Sequence, residues 1–256
     1  MRIFFDTDLE GATGVYTMEM CNRGDPQFDY AYAELAKDIN AAVDGALAGG
    51  ADECVVCDGH GALGLCFDLI DPRAIRGEYS MMSEGFDAMF CIANHAQAGT
   101  QNAFLDHTQS STDWFRYTVN GRPTGEIGQS AMQAAHYGAP VILVTGDEAA
   151  IAEAHDFLGE VECVAVKRGI GRNTCEMYDP DRSRQLIRAA AKRAVERFRS
   201  GDHPYRLYTP ALPAVCTLTY TRSDHCDTAM GWAKRAERID ARTIRWVAQD
   251  YMQIMP

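Results

Sequence analysis

Short apolar runs that each end in acids or an imidazole constrain this chain more than any other feature. Phe4-Phe5 leads into Asp6-Thr7-Asp8-Leu9-Glu10-Gly11, Cys54-Val55-Val56-Cys57 into Asp58-Gly59-His60, and the run from Ala88 to Ala93 into Asn94-His95. Brief apolar runs bounded by turn residues read as buried strands. Between the first two, Tyr30, Leu35, Ile39, Ala42, Val43 and Leu47 recur at helical spacing, and Gly49-Gly50 supplies a stop. Strand, helix, strand in that order predicts a right-handed crossover within a mostly parallel sheet, and hence an α/β fold.

The pattern continues along the chain. A strand is expected at Trp114 to Val119, a turn at Asn120-Gly121, a helix from Glu126 to Tyr137 ended by Gly138 and Pro140, and a strand from Val141 to Val144. Further on, Asp147 to Leu158 reads as a helix and Val161 to Lys167 as a strand. Asp181 to Arg199 reads as a long helix with Leu186, Ile187, Ala190, Ala194, Val195 and Phe198 on its apolar side. Strands are expected over 214–220 and 243–248, with a closing helical turn from Asp250 to Met255. The predicted architecture is a mostly parallel sheet flanked by helices in the N-terminal half, with a smaller C-terminal α/β portion. The expected division gives a site-bearing domain over 1–146 and a smaller one over 147–256.

The composition narrows the function classes. A formal charge of -12 argues against a nucleic-acid surface, which needs a basic face. No apolar run approaches the ~18 residues that suggest a membrane span, and Asp6 interrupts the opening apolar residues before a signal segment can form. The expected setting is cytoplasmic, with no nucleic acid and no membrane as partners. Nine cysteines, an odd number, read as reduced thiols. Cys54 and Cys57 have C-x-x-C spacing but lie on a strand, where alternation sends them to opposite faces. They read as small buried hydrophobes rather than as a zinc knuckle or redox pair.

Asp8 and Glu10, two apart on an extended chain, project to one side. In open α/β sheets, sites form at the carboxyl ends of strands, and His60 and His95 leave their strands at the same rim. Hard oxygen ligands and imidazoles converging there point to a divalent metal. His107 lies in a polar loop, and Glu126 in the first turn of a helix, where the dipole favours a carboxylate with or without a metal. Asp6 and Asp58 are candidate supporting groups, Asp58 as a partner that orients His60. Gly59-His60-Gly61-Ala62-Leu63-Gly64 also matches G-x-G-x-x-G, a dinucleotide signature. It follows the second strand rather than the first and is soon interrupted by Pro72, so a tight turn presenting His60 is the preferred reading. The residues alone leave open a two-metal hydrolase of an amide or ester and a non-catalytic metal- or nucleotide-binding α/β module. Arg116 and Arg122, the nearest basic residues, are few for a phosphate substrate.

Taken together, Asp8-Leu9-Glu10-Gly11, Asp58-Gly59-His60, Asn94-His95-Ala96, Asp106-His107-Thr108 and the stretch Asn120-Gly121-Arg122-Pro123-Thr124-Gly125-Glu126-Ile127-Gly128 resemble the M55 peptidase family, the D-aminopeptidases of the dipeptide-transport type. Met82-Ser83-Glu84-Gly85 and Ala165-Val166-Lys167 fit the same pattern. The resemblance covers most of residues 3–175 and thins beyond. It implies an aminopeptidase that removes the N-terminal residue, a D-amino acid, from short peptides. It further implies two Zn2+ per chain held by Asp8, Glu10, His60, His95 and Glu126, with Asp8 bridging, and His107 as a catalytic residue outside the ligand set. Glu84 is a candidate to hold the substrate's free amine. A homo-oligomer, in the form of a large ring, is implied as well.

Overall fold

The order of elements follows directly from the apolar runs. In a computed structural model, which describes residues 1–61, 65 and 67–256, β1 (Arg2–Thr7) leads to α1 (Phe28–Ala48), β2 (Glu53–Asp58), β3 (Ile75–Arg76) and β4 (Ala88–Asn94). A hairpin of β5 (Trp114–Val119) and β6 (Arg122–Pro123) precedes α2 (Glu126–His136), β7 (Val141–Asp147), α3 (Glu148–Leu158), β8 (Glu162–Gly171), β9 (Thr174–Met177) and α4 (Pro180–Ser200). The chain ends with β10 (Ala214–Tyr220), α5 (Ser223–Trp232), β11 (Glu237–Arg238) and β12 (Thr243–Ala248).

Seven strands form one sheet in the order β3-β2-β1-β4-β7-β8-β9, parallel throughout except where β9 turns back on β8. Alternation divides its side chains between two cores. Ile3, Phe5, Cys54 and Val56 pack with Leu35 and Ile39 of α1 and Ile187 and Val195 of α4. Phe4, Val55, Cys57 and Met89 pack on the other face with Ile127 of α2 and Phe157 of α3. Cys54 and Cys57 therefore do point to opposite faces, and burial pushes each thiol up to about 12.

The remaining strands pair antiparallel as β11-β12-β10-β5-β6. Tyr117, Leu218, Ile244 and Trp246 fill the core of this second sheet, joined by Met132 from α2. The expected turn closes the β5–β6 hairpin, with Asn120 and Gly121 both at positive φ, the geometry that suits the twist of paired strands. The expected division near 146 falls at the end of β7. Strands β7, β8 and β9 lie in the same sheet as β1, whereas the hairpin of residues 114–123 lies in the second sheet.

Some details differ from the sequence pattern. Leu186 and Tyr30, expected on buried helix faces, are exposed, because their neighbours Ile187 and Ala31 fill the inward positions. Helix α5 was not anticipated, since only Cys226 and Ala229 of it are buried and its other residues carry no periodic apolar signal. No helix among the described residues is long and apolar enough to cross a membrane.

Candidate metal centre

In the seven-stranded sheet the chain winds outward in both directions from β1, to β2 and β3 on one side and to β4, β7 and β8 on the other. The crevice beyond the carboxyl ends of β1 and β4 is thus a topological switch point, where such sheets bind ligands. Asp8 and Glu10 follow β1, His60 follows β2 and His95 follows β4. Backbone bonds continue the ladder into this rim. The Asp8 N–H donates to the Ile92 carbonyl at 2.8 Å and the Gly11 N–H to the Ala93 carbonyl at 2.7 Å. A Cβ on Gly11 would lie 2.1 Å from the Asn94 carbonyl oxygen, so only glycine permits this approach.

The five expected ligands and His107 all meet here. Asp8 links two groups: its Oδ1 is 3.1 Å from His60 Nδ1 and its Oδ2 is 3.2 Å from His95 Nε2. Glu10 Oε2 also faces His60 Nδ1, at 3.1 Å. Glu126 Oε1 lies 3.4 Å from His95 Nε2 and accepts the Gln109 N–H at 2.6 Å. His107 stacks on His95 with ring centres 3.9 Å apart, and its Nε2 is 3.9 Å from both Glu10 and Glu126. Two sets of ligand atoms close enough to share an ion result: Asp8, Glu10 and His60 in one, His95, His107 and Glu126 in the other.

Hydrogen bonds to carbonyls settle which nitrogen each imidazole turns to the centre. A carbonyl oxygen only accepts, so His60 Nε2–H donates to Cys21 at 3.1 Å, His95 Nδ1–H to Ala96 at 3.0 Å and His107 Nδ1–H to Leu105 at 2.8 Å. In the neutral rings the opposite nitrogens bear lone pairs, and all three face carboxylate oxygens. Lone pairs directed at anions repel unless positive charge lies between them. Asp8 Oδ2, Glu10 Oε2 and His95 Nε2 are, moreover, buried without a hydrogen-bond partner. A carboxylate and imidazole donor set with committed outer N–H groups suits zinc, so these residues fit a pair of zinc ions.

The electrostatics agree. Burial alone would lower the His60 pKa, but Glu10 and Asp8 outweigh it and push the ring up to about 12. Burial likewise opposes the charge on Asp8, yet the imidazoles of His60 and His95 beside it hold its carboxyl well below the usual range. The cluster thus favours positive charge at its centre, whether proton or cation.

Residues around the ligands hold this arrangement. Asp6, raised to about 6 by burial, accepts from the hydroxyls of Tyr79 and, at 2.6 Å, Ser130. Asp58 Oδ1 accepts the His60 backbone N–H at 3.2 Å, while the ring's own N–H goes to the Cys21 carbonyl. Fully buried Lys167, lowered to about 8 by desolvation, donates to the carbonyls of Glu10 at 2.7 Å and Val15 at 2.6 Å. Glu153 accepts the Gln97 N–H at 2.7 Å, and burial raises it to about 7. Ala93, Leu105 and Gln109 adopt positive φ although none is glycine. Each flanks a site residue, and such strain concentrates where the surroundings over-determine a functional geometry.

Two expectations are corrected. Glu84 does not approach the centre: it is exposed, 3.7 Å from Arg2 at the opposite end of β1. Nor are Arg116 and Arg122 the basic residues nearest the ligands. Arg172, in the turn between β8 and β9, lines a cavity with Glu10, His60 and His107. Its only mark in the sequence is the turn-like Gly171-Arg172-Asn173. Of the G-x-G-x-x-G segment, residues 62–64 lie outside the described residues. The part that is described gives Gly59 and Gly61 to the turn before and after His60, with Gly61 at positive φ.

Known proteins resemble this chain along its whole length. The M55 peptidase family model, described as D-aminopeptidase, matches residues 1–256, so the likeness extends past residue 175, where the motifs thin. A D-aminopeptidase of Bacillus subtilis (strain 168) is 28% identical over 196 residues, covering 73% of this chain and 71% of that protein. The fold is shared with a solved structure, the Zn-dependent D-aminopeptidase DppA from Bacillus subtilis, a self-compartmentalizing protease. That match has a TM-score of 0.89 at 22% identity and covers 99% of this chain and 94% of the other.

Proposed function

Because the chain belongs to the M55 family of D-aminopeptidases, we propose that it is a zinc-dependent aminopeptidase that removes a D-amino acid from the amino end of short peptides. The observation that carries this reading is Asp8, whose two oxygens face different imidazoles and so join the two ligand groups. Asp8, Glu10, His60, His95 and Glu126 would hold two zinc ions, with Asp8 shared. When bound, such a pair lowers the pKa of a water toward ~7 and polarises the scissile carbonyl.

The chain's own groups do the rest. His107, its Nδ1–H committed to Leu105, presents Nε2 at the open edge of the cluster, farther from the carboxylates than His60 or His95. From there Nε2 can hold the proton that the leaving amine requires, or donate to the developing oxyanion. A cavity of about 220 Å³ beside Asp8 and Glu126 is lined by Asp6, Gln129, Ser130 and Gln133 with Met82, Met252 and Met255. Its acids and amides suit a free ammonium group, and its methionines a small side chain. A relative described as self-compartmentalizing supports a homo-oligomer here as well.

The test is release of amino acid from D-Ala and L-Ala dipeptides before and after chelation, with metal content measured on the same samples. The expected result is about two zinc per chain, loss of cleavage with the metal, recovery on adding zinc, and preference for the D-residue. Cleavage that survives complete metal removal ends this reading.

A further inference from the structure

Two cavities open on the ligand cluster, and they differ in charge. The one beside Asp8 and Glu126 has no lysine or arginine among its described lining residues. The other, of about 190 Å³, lies against Glu10, His60 and His107 and contains Arg172. Gln109 lines both and stands between them.

Arg172 is firmly placed but weakly engaged. Its carbonyl accepts the Leu105 N–H at 2.7 Å, which ties the β8–β9 turn to the loop carrying His107. Among the described residues the guanidinium meets only neutral atoms at hydrogen-bond range, Met18 Sδ at 3.6 Å and Asn173 Oδ1 at 3.2 Å. Its nearest carboxylate, Asp106, is 3.9 Å from Nε, beyond a hydrogen bond, and Asp106 Oδ2 is already engaged by the Gly99 N–H at 2.7 Å. Elsewhere arginines near acids bond to them directly, as Arg73 does to Asp71 and Arg188 to Asp44. Arg172 therefore keeps a planar fork of donors facing a cavity that is otherwise lined by an acid, imidazoles and uncharged groups. Such a fork recognises a carboxylate with two parallel bonds.

We infer that Arg172 binds the terminal carboxylate of a dipeptide, seating the leaving residue in the cavity beside His107 while the amino-terminal residue occupies the cavity beside Asp8 and Glu126. This deepens the aminopeptidase reading and rests on it. The cavity is smaller than the ~300 Å³ at which pockets for drug-sized ligands begin, which suits one residue on the leaving side rather than a long chain. In a protein of net charge -12, a free carboxylate would otherwise meet a repelling rim. The arrangement makes the enzyme select by the distance from scissile bond to chain end.

The experiment compares a D-Ala dipeptide with its C-terminal amide on the zinc-loaded enzyme and on Arg172→Gln and Arg172→Lys. The original enzyme is expected to favour the free carboxylate by about tenfold or more in kcat/KM, the size of a charge-assisted bond, mostly through KM. Arg172→Gln should lose that preference, with the amide cleaved within about twofold of before, and Arg172→Lys should retain part of it. Binding of a non-cleavable dipeptide analogue with a reduced peptide bond, free or amidated at its end, should show the same preference without turnover. An equal loss on both forms, or no preference in the original enzyme, overturns the role of Arg172 and leaves the peptidase reading intact. Preferential binding of the free acid with no cleavage of any peptide does the reverse.

Discussion

The carboxyl end of the parallel sheet and the core of the antiparallel sheet are built on opposite principles. At the first, Asp8, Glu10 and His95 are buried with polar atoms that have no partner, and flanking residues adopt strained backbone. In the second, Leu218, Ile244 and Trp246 are buried among apolar neighbours. The core's polar handles are mostly satisfied, with Tyr117 donating to the Ile254 carbonyl at 2.7 Å and Trp246 to that of Gln253 at 3.0 Å. Apolar burial stabilises at roughly 25 cal/mol per Å², whereas buried charge without a counter-charge costs several kcal/mol. One region supplies stability, and the other uses stability to hold a geometry ready for cations.

Substitutions in the two regions should therefore act on different observables. The largest effect is expected from Asp8→Ala, which removes the carboxylate shared by both groups: bound zinc should fall from about two ions per chain toward none, and cleavage to background. His107→Ala should keep the zinc and lower turnover by about 10²–10⁴-fold. Equal zinc and unchanged turnover in that variant would strip His107 of its role. In the antiparallel sheet, Leu218→Ala should cost about 2–5 kcal/mol of unfolding free energy while each folded molecule remains as active. A selective loss of activity there would erase the contrast between the regions.

The smallest effect is a pH dependence at Glu153, which lies behind the site rather than in it. Its carboxyl rises from 4.5 to about 7 on folding because burial outweighs the bond from Gln97. Between those values the folded protein keeps a proton that the unfolded chain has lost, so this contribution to stability falls as pH rises through the window. At about 1.36 kcal/mol per pH unit the loss approaches ~3 kcal/mol above pH 7. In Glu153→Gln this slope should vanish, as read by denaturant unfolding at pH 5 and pH 8. Parallel stability curves for the two proteins would show that Glu153 is not raised.

Much of the site was legible because its signals are local. Apolar runs that stop abruptly at Asp8, His60 and His95 mark strand ends, and in a parallel sheet strand ends share a rim. Glu126 was ambiguous by itself, since any helix start favours an acid. Its place in the cluster depends on His95, a residue that follows a distant strand. Glu84 was misplaced for a related reason: its polar motif says nothing about which end of β1 it flanks. Arg172 carried only the turn-like Gly171-Arg172-Asn173 around it, because its place at the cavity comes from a turn docking on a loop distant in sequence.

What the amino-acid order alone determined is the α/β class, the positions of the strand ends, and the acids and imidazoles delivered there, because periodicity and turn chemistry act over a few residues. What only the folded molecule decided is which nitrogen of each imidazole faces inward, which oxygen of Asp8 meets which ring, and that Arg172 lines one of the two cavities. Those features rest on contacts such as the one between His60 and the Cys21 carbonyl, and long-range contacts of that kind exist only once the sheet has brought separate segments together.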